Sequence, residues 1–309
     1  MVKNPFEYAQ GRRLEITRKQ QREIKEIYRD ALRDIKYKYG RLENKTSRYA
    51  ENKKLYLDSL KREYEQQIKD IGKKTESTIM TNSTEMVNAV LQNNEMYLNG
   101  LGYNSYINNY AIRTDVINRL ATGQVYGGSW NLSSAIWGDD AAKIKEINTI
   151  IARGVAEGKS LFNISKQLEK YVNPDKLNLT NIPGIRTKVD YNAQRLARTM
   201  IQHAYQEAFV AATIHNPFIE AYQWITSGSD RVCELCMERE SEDHYGLGPG
   251  VFPKDSLPLD HPNGQCTFDI VVTMSDDEMA DAIADWYLGV GDEEMNKELT
   301  EFAEYLANY

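Results

Sequence analysis

Heptad-spaced apolar residues in the first hundred positions constrain the fold of this 309-residue chain more than any other feature. Residues 12–39 contain no glycine or proline, and core-type side chains recur at Ile24, Tyr28, Ala31, Ile35 and Leu42. A second stretch has the same pattern at Tyr49, Tyr56, Leu60, Tyr64, Ile68 and Ile71. Gly40 and the polar residues 44–47 separate the stretches, so the pattern predicts a long N-terminal helical hairpin or coiled coil.

The rest of the chain predicts more helix and little strand. Residues 139–158, 160–172 and 190–213 have helical spacing, and Gly158 and Asn173–Pro174 mark the ends of the first two. The third has a small-residue face, at Ala193, Ala197, Met200, Ala204 and Ala208. Alternation predicts short strands at 219–226 and 266–273, and the acidic residues 275–309 predict two helices. We therefore expect four segments: a basic long-helix arm (1–100), a Gly/Asn/Tyr-rich connection (101–137), a central domain (138–274) and an acidic helical tail (275–309).

The net charge of −7 is distributed unevenly along the chain. Residues 11–75 contain 20 Lys/Arg against 11 Asp/Glu, whereas residues 275–309 contain 11 Asp/Glu and only Lys297. In the arm, acids are interleaved with the bases and the aromatic residues follow the apolar seam. A solvated hairpin fits this pattern, and a surface for nucleic acid or a protein partner is the alternative.

Several classes of protein are not indicated. No run of about 18 apolar residues is present, so we expect no membrane span, and the N-terminus lacks the apolar region of a secretory signal. The chain has no His-Glu-x-x-His, Walker, dinucleotide-binding or Gly-x-Ser-x-Gly motif, so we expect no enzyme of those classes.

All three cysteines lie in two short stretches, which predicts a metal site. Cys233-x-x-Cys236 has the spacing of a metal knuckle, and His261 with Cys266 completes a Cys3His set of the kind that holds Zn²⁺ tetrahedrally. Four protein ligands leave no open position, so such a zinc is structural and closes a polar loop of about thirty residues. His244 is a rival fourth ligand, and ordinary buried thiols are the alternative to a metal. No βαβ pattern supports a redox pair.

Other residues near the cysteines have simpler expected roles. Trp224 is expected as a core anchor, and Asp230 with Arg231 as a local pair that orients the knuckle. Arg198 either bonds backbone carbonyls or carboxylates of the knuckle from within or is exposed. His203 and His215 are expected to be satisfied surface or core residues.

The order of these residues resembles the phage head morphogenesis family, typified by the minor head protein of phage SPP1 and the F protein of phage Mu. The residues that carry it are Ala197, Arg198, Thr199, Trp224, Asp230, Arg231, Cys233, Cys236, His261, Pro262, Asn263 and Cys266. The resemblance covers about 140 residues, from 138 to 272, and excludes the arm and the tail. Gly264 and Gln265 depart from it, because the family usually has cysteine and arginine there.

The resemblance implies a portal-associated minor structural protein of a tailed-phage or prophage head, made in the host cytoplasm and located inside the head. Its partners would be the portal protein and other head proteins. The basic arm at 11–75, which lies outside the resemblance, would reach either the portal or packaged DNA. The fold expected is mainly α with a small α+β element stapled by structural Zn²⁺. The alternative is an HNH-like nuclease, because residues 260–263 read Asp-His-Pro-Asn and His261 would then activate water. Three cysteines favour the structural interpretation, since a catalytic His261 would leave the zinc one ligand short.

Overall fold

The structure, a computed structural model, describes residues 6–39, 53–127, 131–157, 159, 161–171, 189–228 and 232–309. The α-helices in these ranges are α1 Glu7–Tyr39, α2 Lys53–Gly100, α3 Asn109–Thr122, α4 Leu132–Ala156, α5 Leu161–Leu168, α6 Val189–Thr213, α7 Glu234–Ser241, α8 Asp276–Leu288 and α9 Glu293–Asn308. Single 3₁₀ turns follow α3 at Gln124–Tyr126 and α5 at Glu169–Tyr171. The strands are β1 Ala221–Ile225, β2 Val251–Pro253 and β3 Thr267–Val271. A mainly α fold with a small α+β element is thus confirmed.

The sheet is antiparallel, in the order β2-β1-β3. Both predicted strands are present and pair with each other, with Trp224 opposite Phe268 and Ile225 opposite Thr267. Strand β2 was not predicted, because three residues between glycines and prolines are too few to show alternation. The pairing places the end of β1 beside the start of β3, so the two cysteine-bearing stretches leave the same end of the sheet.

The chain forms two compact units, and each is discontinuous in sequence. The first, called the sheet unit, contains Met1–Thr17, Thr81–Leu120 and Arg198–Tyr309. The second, called the helical unit, contains Arg18–Met80 and Ala121–Ala197. These units cut across the four segments expected from the sequence, because α1, α2 and α6 each contribute residues to both.

The sheet unit is built around aromatic side chains. Phe209 of α6 contacts Phe6 at 4.7 Å between ring centroids and Tyr222 of β1 at 5.1 Å. Trp224 lies edge-on to Phe268, with centroids 5.1 Å apart. The small-residue face of α6 is buried, and burial of each large apolar side chain contributes roughly 1.5–3 kcal/mol.

The predicted acidic tail is part of this core. Leu299, Phe302 and Leu306 of α9 are buried, and the Leu306 carbonyl accepts a hydrogen bond from the Asn108 N–H at 2.7 Å. Helix α8, the first of the two helices predicted at 275–309, begins with a capping box between Ser275 and Glu278.

The helical unit contains the predicted apolar seam. Ile24, Tyr28, Ala31 and Ile35 of α1 are buried, as are Leu60, Tyr64, Ile68 and Ile71 of α2. Helix α4 approaches α5 closely at Gly154, where an added Cβ would lie 2.6 Å from the Ile164 side chain. The Tyr171 hydroxyl, in the 3₁₀ turn after α5, donates to Glu146 of α4 at 2.6 Å and adds a second contact between these segments.

Some expectations differ from the structure or lie outside it. The expected connection at 101–137 contains α3, whose Ile112, Val116 and Leu120 form a buried face at four-residue spacing, and the start of α4. Other expectations lie outside the described residues. They are the turn at Gly40 and 44–47, the seam positions Leu42 and Tyr49, the helix ends at Gly158 and Asn173–Pro174, and the pair Asp230–Arg231. None of the helices in the described ranges is long and apolar enough to span a membrane.

Candidate metal centre

Helix α7 positions the first two cysteines. Cys233 is its N-cap residue, and the Cys233 carbonyl accepts hydrogen bonds from the backbone N–H groups of Cys236 and Met237, both at 3.1 Å. Three residues along a helix bring side chains to one face, so the thiols of Cys233 and Cys236 are neighbours. The N-terminal end of a helix also favours negative charge, as a thiolate requires. The sequence predicted a metal knuckle at this spacing, and the structure places the start of a helix there.

A tight turn positions the histidine. The Gly264 N–H donates to the His261 carbonyl at 2.9 Å, Pro262 occupies the second position, and Asn263 has a positive φ of 69°. These are the features of a type II turn. The Asn263 N–H donates to the Thr199 hydroxyl at 2.9 Å, which ties the turn to α6.

The imidazole of His261 faces the first cysteine. Its Nε2 lies 3.2 Å from the Cys233 Sγ, and its Nδ1 lies 3.0 Å from the Pro262 carbonyl oxygen. Because a carbonyl only accepts, Nδ1 carries the proton and Nε2 presents its lone pair to the sulfur. A histidine that ligates through one nitrogen and donates to a carbonyl through the other is the common arrangement at metal sites.

The four predicted ligands form two groups that share Cys236. The ligand atoms of Cys233, Cys236 and His261 lie within 4.8 Å of one another, as do those of Cys236, Asp260 and Cys266. The four predicted side chains therefore lie in two overlapping groups joined by Cys236, and Cys266 belongs to the group with Asp260 rather than to the group with Cys233 and His261. Asp260 is an addition that the metal-ligand spacing did not predict.

Asp260 is the centre of the downstream loop. It is buried, and its carboxylate accepts the His261 N–H at 2.8 Å and the Cys266 N–H at 3.3 Å. A Cβ at Gly264 would lie 2.2 Å from the Asp260 Oδ2. A cysteine at position 264 would therefore collide with this carboxylate.

The surroundings of the two buried cysteines, Cys236 and Cys266, favour the neutral thiol. Burial, followed by the Asp260 charge, raises the pKa of Cys266 to about 11. Burial also raises the pKa of Cys236, and its hydrogen bonds with Cys266 and Cys233 add to the rise. These thiols hold their protons at neutral pH unless a cation displaces them.

The donor set fits a zinc ion. Three thiols and one imidazole are ligands that Zn²⁺ prefers. The buried indole N–H of Trp224 makes no hydrogen bond of regular geometry among the described residues, although its interaction with Cys266 lowers the pKa of that thiol. A metal-bound thiolate at Cys266 would give this N–H a stronger acceptor than a thiol does.

Two side chains from distant helices support Cys266. The Arg13 guanidinium of α1 donates to the Cys266 carbonyl at 2.6 Å and to the Gln265 carbonyl at 3.1 Å. The Gln202 amide of α6 donates to the same Cys266 carbonyl at 2.7 Å. Sequence reasoning assigned Arg13 to the basic arm, and no local signal linked it to residues some 250 positions away.

Helix α7 is fixed by two further side chains that the sequence did not single out. The Arg239 guanidinium lies over the Trp224 ring, 4.8 Å from its centroid, and donates to the Leu259 carbonyl at 3.2 Å. The Glu240 carboxylate accepts hydrogen bonds from the N–H and the hydroxyl of Thr226, at 2.9 and 2.8 Å. These contacts join the helix to the sheet and to the loop before His261.

The remaining sequence-predicted residues are placed as follows. Trp224 is fully buried, which confirms the core anchor. His203 is buried, with Nε2 2.9 Å from the Asp260 carbonyl oxygen, and His215 is exposed against Tyr305. His244 lies with Glu238 and Glu242 in an exposed group, apart from the cysteines. Arg198 is half-buried; the guanidinium that bonds the Gln265 and Cys266 carbonyls is that of Arg13.

Comparison of the chain with protein-family models, curated proteins and solved structures returned no match.

Proposed function

We propose that the chain is a minor structural protein of a tailed-phage or prophage head, with a structural zinc ion bound by Cys233, Cys236, His261 and Cys266. The observation that carries the proposal is the agreement between motif and geometry. Among the described residues that carry the resemblance to the head morphogenesis family, Thr199 binds the turn at Asn263 and His261 faces Cys233. The protein acts by binding, and its partners are the portal and other head proteins.

The zinc closes the loop between β1 and β3. With four protein ligands and no open position, it supplies rigidity and no chemistry. Replacement of Cys233 by Ser is expected to release the zinc and to unfold residues 224–272, as measured by metal content and hydrogen exchange. Full metal content in the Cys233→Ser variant would contradict this ligand set.

A nuclease that uses His261 is the second candidate, because Asp260 and His261 adjoin Asn263. Each imidazole nitrogen of His261 faces a protein atom, the Cys233 sulfur or the Pro262 carbonyl oxygen. This arrangement does not favour activation of a water molecule by either nitrogen. We expect the His261→Ala variant to lose both its zinc ion and the folded structure of residues 224–272. A folded His261→Ala variant that has lost cleavage of plasmid DNA would instead favour the nuclease.

The basic arm at 11–75 reaches the partner, either the portal or packaged DNA. Part of the charge on its described residues is paired with neighbouring acids, for example Arg33 with Asp30 at 2.5 Å and Lys61 with Glu65 at 3.8 Å. Binding through phosphates would weaken steeply with salt, by a slope of about −0.9 per contact. A flat salt response of the full chain on duplex DNA would assign the arm to protein contact.

Quantitative mass spectrometry of purified particles, before and after triggered genome release, tests the function itself. A few copies per particle at a fixed ratio to the portal are expected, and loss on release would add a role in DNA delivery. Absence from particles would contradict a minor head protein.

A further inference from the structure

Arg13 is a buried cation far from any partner in sequence. Only 6% of the residue is exposed, and its guanidinium donates to three carbonyl oxygens, those of the Gln202 side chain and of the Gln265 and Cys266 backbone. It also lies over the Tyr205 ring, 5.2 Å from the centroid. A buried guanidinium is tolerated only where its N–H groups are hydrogen-bonded. These bonds therefore fix the position of the first turns of α1 within the sheet unit.

The contact holds the backbone of one proposed ligand from both sides. The Cys266 N–H donates to the Asp260 carboxylate at 3.3 Å, and the Cys266 carbonyl accepts from Arg13 at 2.6 Å. Two buried groups of opposite charge therefore fix the residue that carries the fourth ligand atom. Of this pair, Asp260 belongs to the metal loop itself, whereas Arg13 belongs to the N-terminal helix.

Charge favours the same arrangement. A zinc ion with three thiolates and a neutral imidazole carries a net charge of −1, and Asp260 adds a second buried negative charge. The positive charge of Arg13 would offset both negative charges. Electrostatic interactions of this kind are strong in buried surroundings of low dielectric constant.

We propose that Arg13 is a positioning residue of the metal centre, and that it couples metal occupancy to the docking of the first turns of α1. The inference rests on the proposed zinc site. Without metal the loop loses the geometry that presents the Gln265 and Cys266 carbonyls, and residues 7–17 lose a buried anchor. Without Arg13 the Cys266 sulfur is held less firmly, and zinc binds more weakly.

The unmodified protein gives the first test. Hydrogen exchange is followed by mass spectrometry in the zinc-loaded protein and after chelation, with residues 299–306 of α9, in the same unit, as the internal control. Exchange at residues 7–17 is expected to rise on metal removal by more than at 299–306. No rise at 7–17, or a rise no larger than in the control, would overturn the coupling.

Variants give the second test. Arg13→Gln is expected to weaken zinc by about 10- to 100-fold in a chelator competition, the usual effect of a lost outer partner. It is also expected to alter the thiolate-to-metal absorption of the cobalt(II) form. Arg13→Lys, which keeps the charge, should restore part of both. Arg12→Gln is the matched control, because Arg12 is the neighbouring arginine of α1 and pairs with the carboxylates of Glu15 and, at 2.8 Å, Glu85.

The outcomes separate the two proposals. Wild-type protein that binds no zinc refutes the metal centre, and the inference fails with it. Wild-type protein that binds zinc, with Arg13→Gln equal to Arg12→Gln in affinity and spectrum, refutes the role of Arg13 alone. Should Arg13→Gln not fold, Arg13→Lys and the exchange experiment on the wild type decide.

Discussion

At the scale of single residues, Asp260 and Gly264 determine the shape of the loop at residues 260–266. The Asp260 carboxylate bonds the backbone N–H groups of His261 and Cys266, and it occupies the space that a Cβ at position 264 would need. Nothing in the sequence indicated this carboxylate beside position 264, and only the structure places it there. A glycine there is a consequence of the buried carboxylate.

Gly264→Ala is therefore expected to lower the free energy of unfolding by about 1–3 kcal/mol, the usual cost of overpacking. Chemical denaturation measures it, and Gly11→Ala is the control, because nothing lies within 4 Å of a Cβ at Gly11. In an Asp260→Ala background the same substitution should cost nothing further, since the collision is gone. Additive losses in the double variant would refute the steric explanation.

His203 should make stability depend on pH. Burial lowers the pKa of His203 below its ordinary value of 6.5, against the opposing Asp260. A lowered histidine pKa gives stability that is present above about pH 6.5 and is lost as the pH falls, because the unfolded chain takes up the proton first. In His203→Gln, whose amide can donate to the Asp260 carbonyl, the loss between pH 7.5 and 5.5 should be smaller than in the wild type. Equal slopes would contradict this.

At the scale of elements, the sequence predicted what local periodicity determines. The seam of α1 and α2, the helices α6, α8 and α9, and the strands β1 and β3 all follow apolar spacing or caps that are visible in the sequence. Helix α7 and strand β2 were missed because they lie in a stretch rich in glycine, proline and charge, and are held by contacts such as Arg239 on Trp224. The acidic tail was predicted as helical, but not as part of a core.

Phe302→Ala is expected to destabilise the protein by about 3–5 kcal/mol, because this buried ring of α9 leaves a cavity beside Tyr103. Leu288→Ala in α8 is the matched control, since Leu288 is 74% exposed and should change stability by less than about 0.5 kcal/mol. Thermal and urea unfolding measure both. An equal, small effect of the two substitutions would contradict a contribution of α9 to the core of the sheet unit.

At the scale of the whole molecule, the two units differ strongly in charge. By the sequence, the helical unit holds 28 Lys/Arg against 18 Asp/Glu, and the sheet unit holds 10 against 27, balances of +10 and −17. The sequence showed a basic beginning and an acidic end. It could not show that Met1–Thr17 belong with the acidic end, because the Arg13–Cys266 contact joins residues 253 positions apart.

Charge-reducing variants test which part of the chain meets an anionic partner. If the helical unit contacts phosphates, Lys73→Gln with Lys74→Gln, both exposed in α2, should weaken DNA binding and reduce the salt slope by about one unit per contact. Lys297→Gln in the acidic α9 is the control and should change neither. Equal effects of the two variants would refute a specific phosphate-binding surface on α2.

Native mass spectrometry of the purified full chain tests the central claim most directly. The account predicts one zinc ion per chain, retained in Glu242→Gln, which alters the separate exposed group with His244, and absent in Cys233→Ser and His261→Ala. A wild-type chain that carries no metal, after purification without chelator and incubation with zinc, would contradict the metal centre and the function built on it.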